Sequence, residues 1–149
     1  MTHILTVNPS ELNKKVAEVL KSQKLVHPMP WAKFVKTGQS KQRLPDDPEW
    51  WYIRSAAILR TVAKLGPVGT EKLRTKFGGR KRRGYLPAHF YKASGSIIRN
   101  ILKQLEHSEL IKQAQKGVHK GRILTPKGVS LLDKIAVQMA KQEHKESKE

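Results

Sequence analysis

The residues with the most chemistry to offer lie between Gly78 and Tyr91, where the chain reads GGRKRRGYLPAHFY. Four cations, Arg80, Lys81, Arg82 and Arg83, stand between glycines, and Tyr85, His89, Phe90 and Tyr91 follow. Arginine forks match phosphate oxygens two at a time. Glycines such as Gly78 and Gly79 let backbone approach a ligand, because no Cβ intervenes. Flat rings such as Tyr85 and His89 can stack on unpaired bases. Around this segment, Lys72 to Leu105 runs 34 residues without Asp or Glu and carries ten Lys or Arg. A short basic run also suits a solvated loop or a localisation signal. The length of the acid-free stretch and the rings behind the cations favour nucleic acid.

Other chemistries find no support. The six His show no metal-ligand spacing, and there is no Cys, so thiolate metal sites, disulfides and Cys catalysis are excluded. GGRKRRG lacks the Gly-Lys-Ser/Thr ending of a phosphate-binding P-loop. His89 beside Tyr85 or Tyr91 could support RNA cleavage, but no second catalytic partner can be named. The expectation is a protein that is not an enzyme, with no cofactor and no small-molecule substrate.

Charge sets the class of partner. Lys plus Arg is 30 against 12 Asp plus Glu, a net +18 at pH 7 over 149 residues. Such a chain draws polyanions at long range. Two further acid-free stretches, residues 19–45 with six cations and 110–132 with five, spread the charge along the chain. A DNA reader gathers its charge on one face, whereas a protein embedded in folded RNA needs it on several. No apolar run approaches the ~20 residues that cross a bilayer, and MTHILTVNPSEL has neither the basic start nor the apolar core of a secretory signal. No membrane and a cytoplasmic home are expected.

The elements that must carry these residues follow from periodicity. Asn8-Pro9-Ser10-Glu11 reads as a helix start with a capping box, and Leu12, Val16, Val19 and Leu20 predict a helix over about 9–22. Asp47-Pro48-Glu49 opens a second helix that ends at Gly66-Pro67. It is apolar on two sides, through Trp51, Ile58, Val62 and Leu65 and through Tyr52, Ala56 and Leu59, which marks it as central. Arg54 falls inside its apolar stripe. A buried Arg needs a partner: an internal ion pair or carbonyl, or a phosphate reached at the rim of the core. A short helix from Thr70 to about Phe77 leads into a basic loop, 78–92. Ser94 then caps a helix to about His107 with Ile97, Ile98, Ile101, Leu102 and Leu105 inward and Ser96, Arg99, Asn100, Lys103 and Gln104 outward. Leu110–Gln115 and Arg122–Leu124 can pair across the turn 116–121, and Thr125-Pro126 caps a last helix. The expected fold is mainly α, one winged-helix-like domain over 1–140 with one small β-hairpin, followed by a charged, frayed tail at 141–149. The hairpin, with Lys120 and Arg122, would be the wing, and 94–107 the recognition helix. A winged-helix DNA-binding regulator is therefore the rival reading. The long basic loop between the two helices, in place of a tight turn, counts against it.

GGRKRRGYLPAHFYKASGSIIRNILKQLE (78–106), DPEWWYIRSAAILR (47–60) and TPKGVSLLDKIA (125–136) together resemble the small-subunit ribosomal protein family nineteen-e. Pro87, Ser94, Ile97, Arg99, Ile101, Leu102, Leu105 and Glu106 fit its pattern, while Lys103 stands where the family usually shows Gln. The resemblance implies a winged-helix-related protein of the small-subunit head, bound to small-subunit rRNA and neighbouring ribosomal proteins, with a part in 30S maturation. It adds Arg54 and Arg60 to the expected RNA contacts and supports Gly78, Gly79, Arg80 and Arg82.

Overall fold

The computed structural model describes residues 3–146. Among them run α1 (His3–Thr6), α2 (Pro9–Ser22), a 3-10 turn (Pro30–Phe34), α3 (Trp50–Leu65), α4 (Thr70–Lys76), β1 (Gly79–Arg83), β2 (Leu86–Tyr91), α5 (Gly95–His107), β3 (Ile111–Lys116), β4 (His119–Leu124) and α6 (Pro126–Glu146). The fold is mainly α, and the order α4, α5, β3, β4 is consistent with a winged-helix-like domain.

Local chemistry fixes the helix ends. Asn8 Oδ1 accepts from Ser10 N at 3.0 Å, and the Asn8 amide donates to Glu11 Oε1 at 3.0 Å, so the cap closes side chain to side chain. Asp47 Oδ1 accepts from Glu49 N at 2.8 Å just ahead of α3. Thr125 Oγ1 accepts from Gly128 N at 3.2 Å at the start of α6.

α3 is central, touching α2, α5, α6 and β4. Trp51, Ser55, Ala56, Ile58, Leu59, Thr61 and Val62 are its buried residues. The hydroxyls of Ser55 and Thr61 turn back to the carbonyls of Trp51 and Ala57, both at 2.8 Å, which satisfies them inside the core. Trp51 meets Trp31 and Trp50 edge to face, with ring centroids 5.6 and 5.3 Å away. The inner face of α5 is buried as its spacing predicts. Gln104, expected on the outer face, is instead only 9% exposed. Its Oε1 accepts from Trp51 Nε1 at 3.1 Å, and its Nε2 donates to the His27 carbonyl at 2.8 Å. Position 104 lies at the edge of the apolar stripe, where a polar side chain is admitted when every group finds a partner.

The hairpin count is corrected from one to two. Residues expected as a loop at 78–92 form the antiparallel pair β1–β2, and β3–β4 is the expected second pair with a tighter turn than 116–121. Both turn on two residues, Gly84-Tyr85 (Gly84 φ 69°) and Gly117-Val118 (Gly117 φ 61°). Glycine first in a two-residue loop matches the twist of the flanking strands. At the other end, α6 continues past residue 140 to Glu146, so the expected tail is helical that far, and 147–149 lie outside the described residues. Among the described residues no helix is long and apolar enough to cross a membrane.

Candidate nucleic-acid interface

The β1–β2 hairpin is held at its base and free elsewhere. Ala93 N donates to the Arg74 carbonyl at 2.9 Å, Ser94 N to the Thr37 carbonyl at 3.1 Å, and Gly38 bridges Ala93. Glu71 carries ion pairs from Arg74 at 2.6 Å and Lys92 at 3.0 Å, which tie α4 to the end of the hairpin. Those two cations hold the Glu71 carboxyl below its usual range, through their hydrogen bonds first. Gly78 and Gly79 serve this base. A Cβ on Gly78 would lie 2.6 Å from both the Phe90 ring and the Tyr91 carbonyl, and one on Gly79 would lie 3.1 Å from Ser40 Oγ. On the side where a Cβ would stand, Gly78 meets the Phe90 ring and the Tyr91 carbonyl of the hairpin itself.

Beyond the base, Arg80, Arg82, Arg83, Tyr85 and His89 are exposed and Lys81 is half-buried. Pairing sets Arg80 opposite Phe90 and Lys81 opposite His89. Lys81 Nζ lies 5.9 Å from the Tyr91 ring centroid, and the His89 and Tyr91 rings meet edge to face at 5.0 Å. Arg83 differs from its neighbours. Its guanidinium donates to the Pro87 carbonyl at 3.0 and 2.8 Å and is thus partly engaged in the hairpin.

A second cluster of cations lies along α3 and the end of α4. Arg54 stacks over Phe77, with its guanidinium carbon 4.7 Å from the ring centroid. Partial burial holds its pKa below the ordinary value. Neither partner foreseen for Arg54 inside the protein, ion pair or carbonyl, is present among the described residues; the ring takes that place. Arg60 has its Nε buried without a hydrogen-bond partner. Burial, then the charges of Arg60 and Lys64, push the Lys76 ammonium down. No carboxylate pairs with Arg54, Arg60, Lys64 or Lys76 among the described residues. Beside Arg54 opens a depression of about 410 Å³ that Lys41 and Arg43 also line, with Asp46 and Asp47.

The remaining expected contacts are scattered. Arg99 approaches Arg74 over Gly95, where a Cβ would lie 2.9 Å from Arg99 Nη1 and 3.2 Å from Arg74 Nε. Lys103 lines a different hollow with Lys24, His27 and Asn100. Lys120 and Arg122 line a third beside Gly69. Arg122 Nη2 lies 3.7 Å from Glu106 Oε2 and its backbone pairs with Val68, while its Nε is buried without a hydrogen-bond partner. Sequence reasoning did not assign Lys41, Arg43, Lys64 or Lys76 to the site. Lys76 belongs to the acid-free run, but nothing in the spacing of Lys64 and Lys76 shows that α4 folds back to bring them together.

Among the described residues, the charges of Arg60, Lys64 and Lys76 thus meet with no carboxylate paired to them, and no cluster of three or more His, Cys, Asp or Glu suited to a metal occurs. The chain belongs to the ribosomal protein S19e family, which matches residues 3–142, and is in this a structural component rather than an enzyme. It is 46% identical over 138 residues to small ribosomal subunit protein eS19 of Aeropyrum pernix, covering 91% of this chain and 88% of the relative. It is 39% identical over 138 residues to small ribosomal subunit protein eS19G of Ascaris suum, covering 93% and 92%. To the eS19 of Mya arenaria it is 39% identical over 134 residues, covering 90% and 88%.

Proposed function

We propose that this protein is a structural constituent of the small ribosomal subunit in the cytoplasm. It binds small-subunit rRNA in the head, beside neighbouring ribosomal proteins, and supports maturation of the subunit. The names of the relatives support the subunit. The observation that carries the RNA reading is the set Arg60, Lys64 and Lys76, whose charges meet with no carboxylate paired to any of them among the described residues and with the Arg60 Nε unpartnered. Like charges held together in a fold are relieved by an anion, and phosphate fits both the guanidinium fork and the ammonium. The hairpin cations extend that surface outward.

The test is a binding measurement. Arg80, Lys81 and Arg82 changed together to Ala should leave thermal unfolding unchanged and weaken binding to small-subunit rRNA. The slope of log affinity against log salt should flatten by roughly 0.7–0.9 per lost phosphate contact. An unchanged affinity and slope would make the run a bystander. Selection from random duplex DNA separates the winged-helix regulator: a helix cannot enter the A-form major groove of RNA, so an rRNA scaffold is built to meet phosphates and sugars rather than base edges and returns no consensus. A sharp motif that survives 200 mM salt, at which bare electrostatic binding is largely lost, would overturn the ribosomal reading.

A further inference from the structure

Resting on the rRNA reading, we propose that the β1–β2 hairpin is a wedge with RNA on both of its faces, joining two separate segments of the rRNA. Residues directly opposite in an antiparallel pair share a face, and neighbours along a strand alternate. Arg80 and Phe90 therefore stand on one face, and Lys81, His89 and Tyr91 on the other. The ring and cation distances among Lys81, His89 and Tyr91 agree with this division.

Neither face is packed against the rest of the protein beyond the base. Every residue from Arg82 to Phe90 is exposed, with Leu86 61% and Phe90 46% exposed. A sheet with one face on a core alternates buried and exposed positions along its length; here Gly79, Lys81 and Tyr91 are half-buried near the base, and from Arg82 to Phe90 no alternation remains. The hairpin is a ribbon two strands wide that offers a layer to something on each side. Each side carries a cation and a ring, and no carboxylate occurs from Lys72 to Leu105. The first face pairs a guanidinium fork with the Phe90 ring. The second sets an ammonium beside His89 and Tyr91, whose rings suit unpaired bases.

A single strand that looped around the tip would also touch both faces. The tip disfavours it. There the chain presents Tyr85, 108% exposed, with Leu86 and Pro87, and the nearest guanidinium, Arg83, is turned onto the Pro87 carbonyl. Among the described residues Arg80 and Lys81, on the sides of the ribbon, have no such carbonyl contact, so phosphate contacts favour its sides over its end.

The chain has no Cys, so single thiols can be placed and labelled selectively. Arg80→Cys and His89→Cys, each carrying a benzophenone maleimide, are assembled into small subunits, irradiated, and the crosslinked nucleotides located by reverse-transcription stops. The wedge requires crosslinks from the two positions to fall in two rRNA segments that are distant in sequence and not paired with each other. Arg80→Ala should then remove chemical protection of the first segment only, and Lys81→Ala with His89→Ala that of the second only. Crosslinks from both positions to one short run of nucleotides, or to the two strands of one helix, overturn the wedge and leave the rRNA reading standing. RNA crosslinks from one face alone also overturn it. Absence of rRNA crosslinks from both faces overturns the wedge and the rRNA reading together.

Discussion

The Trp51 indole N–H donates to Gln104 Oε1 at 3.1 Å, and the same Gln104 amide donates to the His27 carbonyl at 2.8 Å. One side chain of α5 thus satisfies both the central tryptophan of α3 and the backbone of the loop after α2. Replacing it by Leu keeps the volume and strands a buried N–H and a partly buried carbonyl. Each orphan costs about 1–3 kcal/mol. Gln104→Leu should lower unfolding free energy by about 2–4 kcal/mol in a denaturant titration, with Trp51 fluorescence reporting the same transition. A loss within error would show that water replaces the amide on both sides.

Gly128 lies in the first turn of α6, where Ala ordinarily stabilises a helix by up to about 1 kcal/mol. Here a Cβ would fall 2.3 Å from the Leu110 carbonyl oxygen, which itself accepts from Thr125 N at 3.1 Å. Backbone cannot yield as a flexible side chain would. Gly128→Ala should therefore reverse the usual sign and lower the melting temperature. Gly121→Ala is expected to behave alike, since its Cβ would meet the Val68 backbone at 2.5 Å. A raised melting temperature in either variant would sink this account of its close approach.

Lys76 links stability to binding with opposite signs. Burial and the charges of Arg60 and Lys64 depress its folded pKa, so the folded state disfavours the charged form. The charge is therefore destabilising wherever it is present in both states, and the penalty fades as pH rises through the lowered folded pKa toward the unfolded value. At pH 7, Lys76→Met should raise stability slightly, by about 0.5 kcal/mol at most for so open a position, and the difference should shrink at alkaline pH. The same variant should bind small-subunit rRNA more weakly. Screening acts on the same repulsion, so added salt should raise the melting temperature of the parent more than that of the variant. Equal salt responses in the two would remove Lys76 from the cluster.

The helical frame was legible because apolar periodicity and caps agree in each segment: Asn8-Pro9 before α2, Gly66-Pro67 after α3, Thr125-Pro126 before α6. The β1–β2 hairpin was not, although Gly84-Tyr85 is a two-residue turn signal. Its strand GRKRR has no apolar alternation, since neither face meets a core, and alternation is what a strand shows only when one face is buried. Gln104 was missed for a related reason. Period alone assigns a polar residue at the stripe's edge outward, and only the tertiary partners Trp51 and His27 make it an inner residue. Within the site, the hairpin cations could be read from composition. The meeting of Arg60, Lys64 and Lys76 depends on how α4 folds back after Pro67, which local spacing does not contain.

The hairpin's exposure also sets its dynamics. Two strands without a covering layer are marginal in water, and β1–β2 has its anchors only at the base, through Arg74 with Ala93 and Ser94 with Thr37. In the free protein its amides should exchange through local opening that costs no more than about 1–2 kcal/mol, the low end of the range for native proteins. Amides of α3 and α5, packed around Trp51 and Leu105, should exchange only with global unfolding. Bound RNA contributes the missing layers, so protection from Lys81 to His89 should rise on binding while that of α3 stays as it was. Hydrogen exchange followed by mass spectrometry, with and without a small-subunit rRNA fragment, reads both states. Hairpin amides as protected as those of α5 in the free protein would mean that the ribbon is stable without RNA, and that its ordering does not depend on contact along its faces.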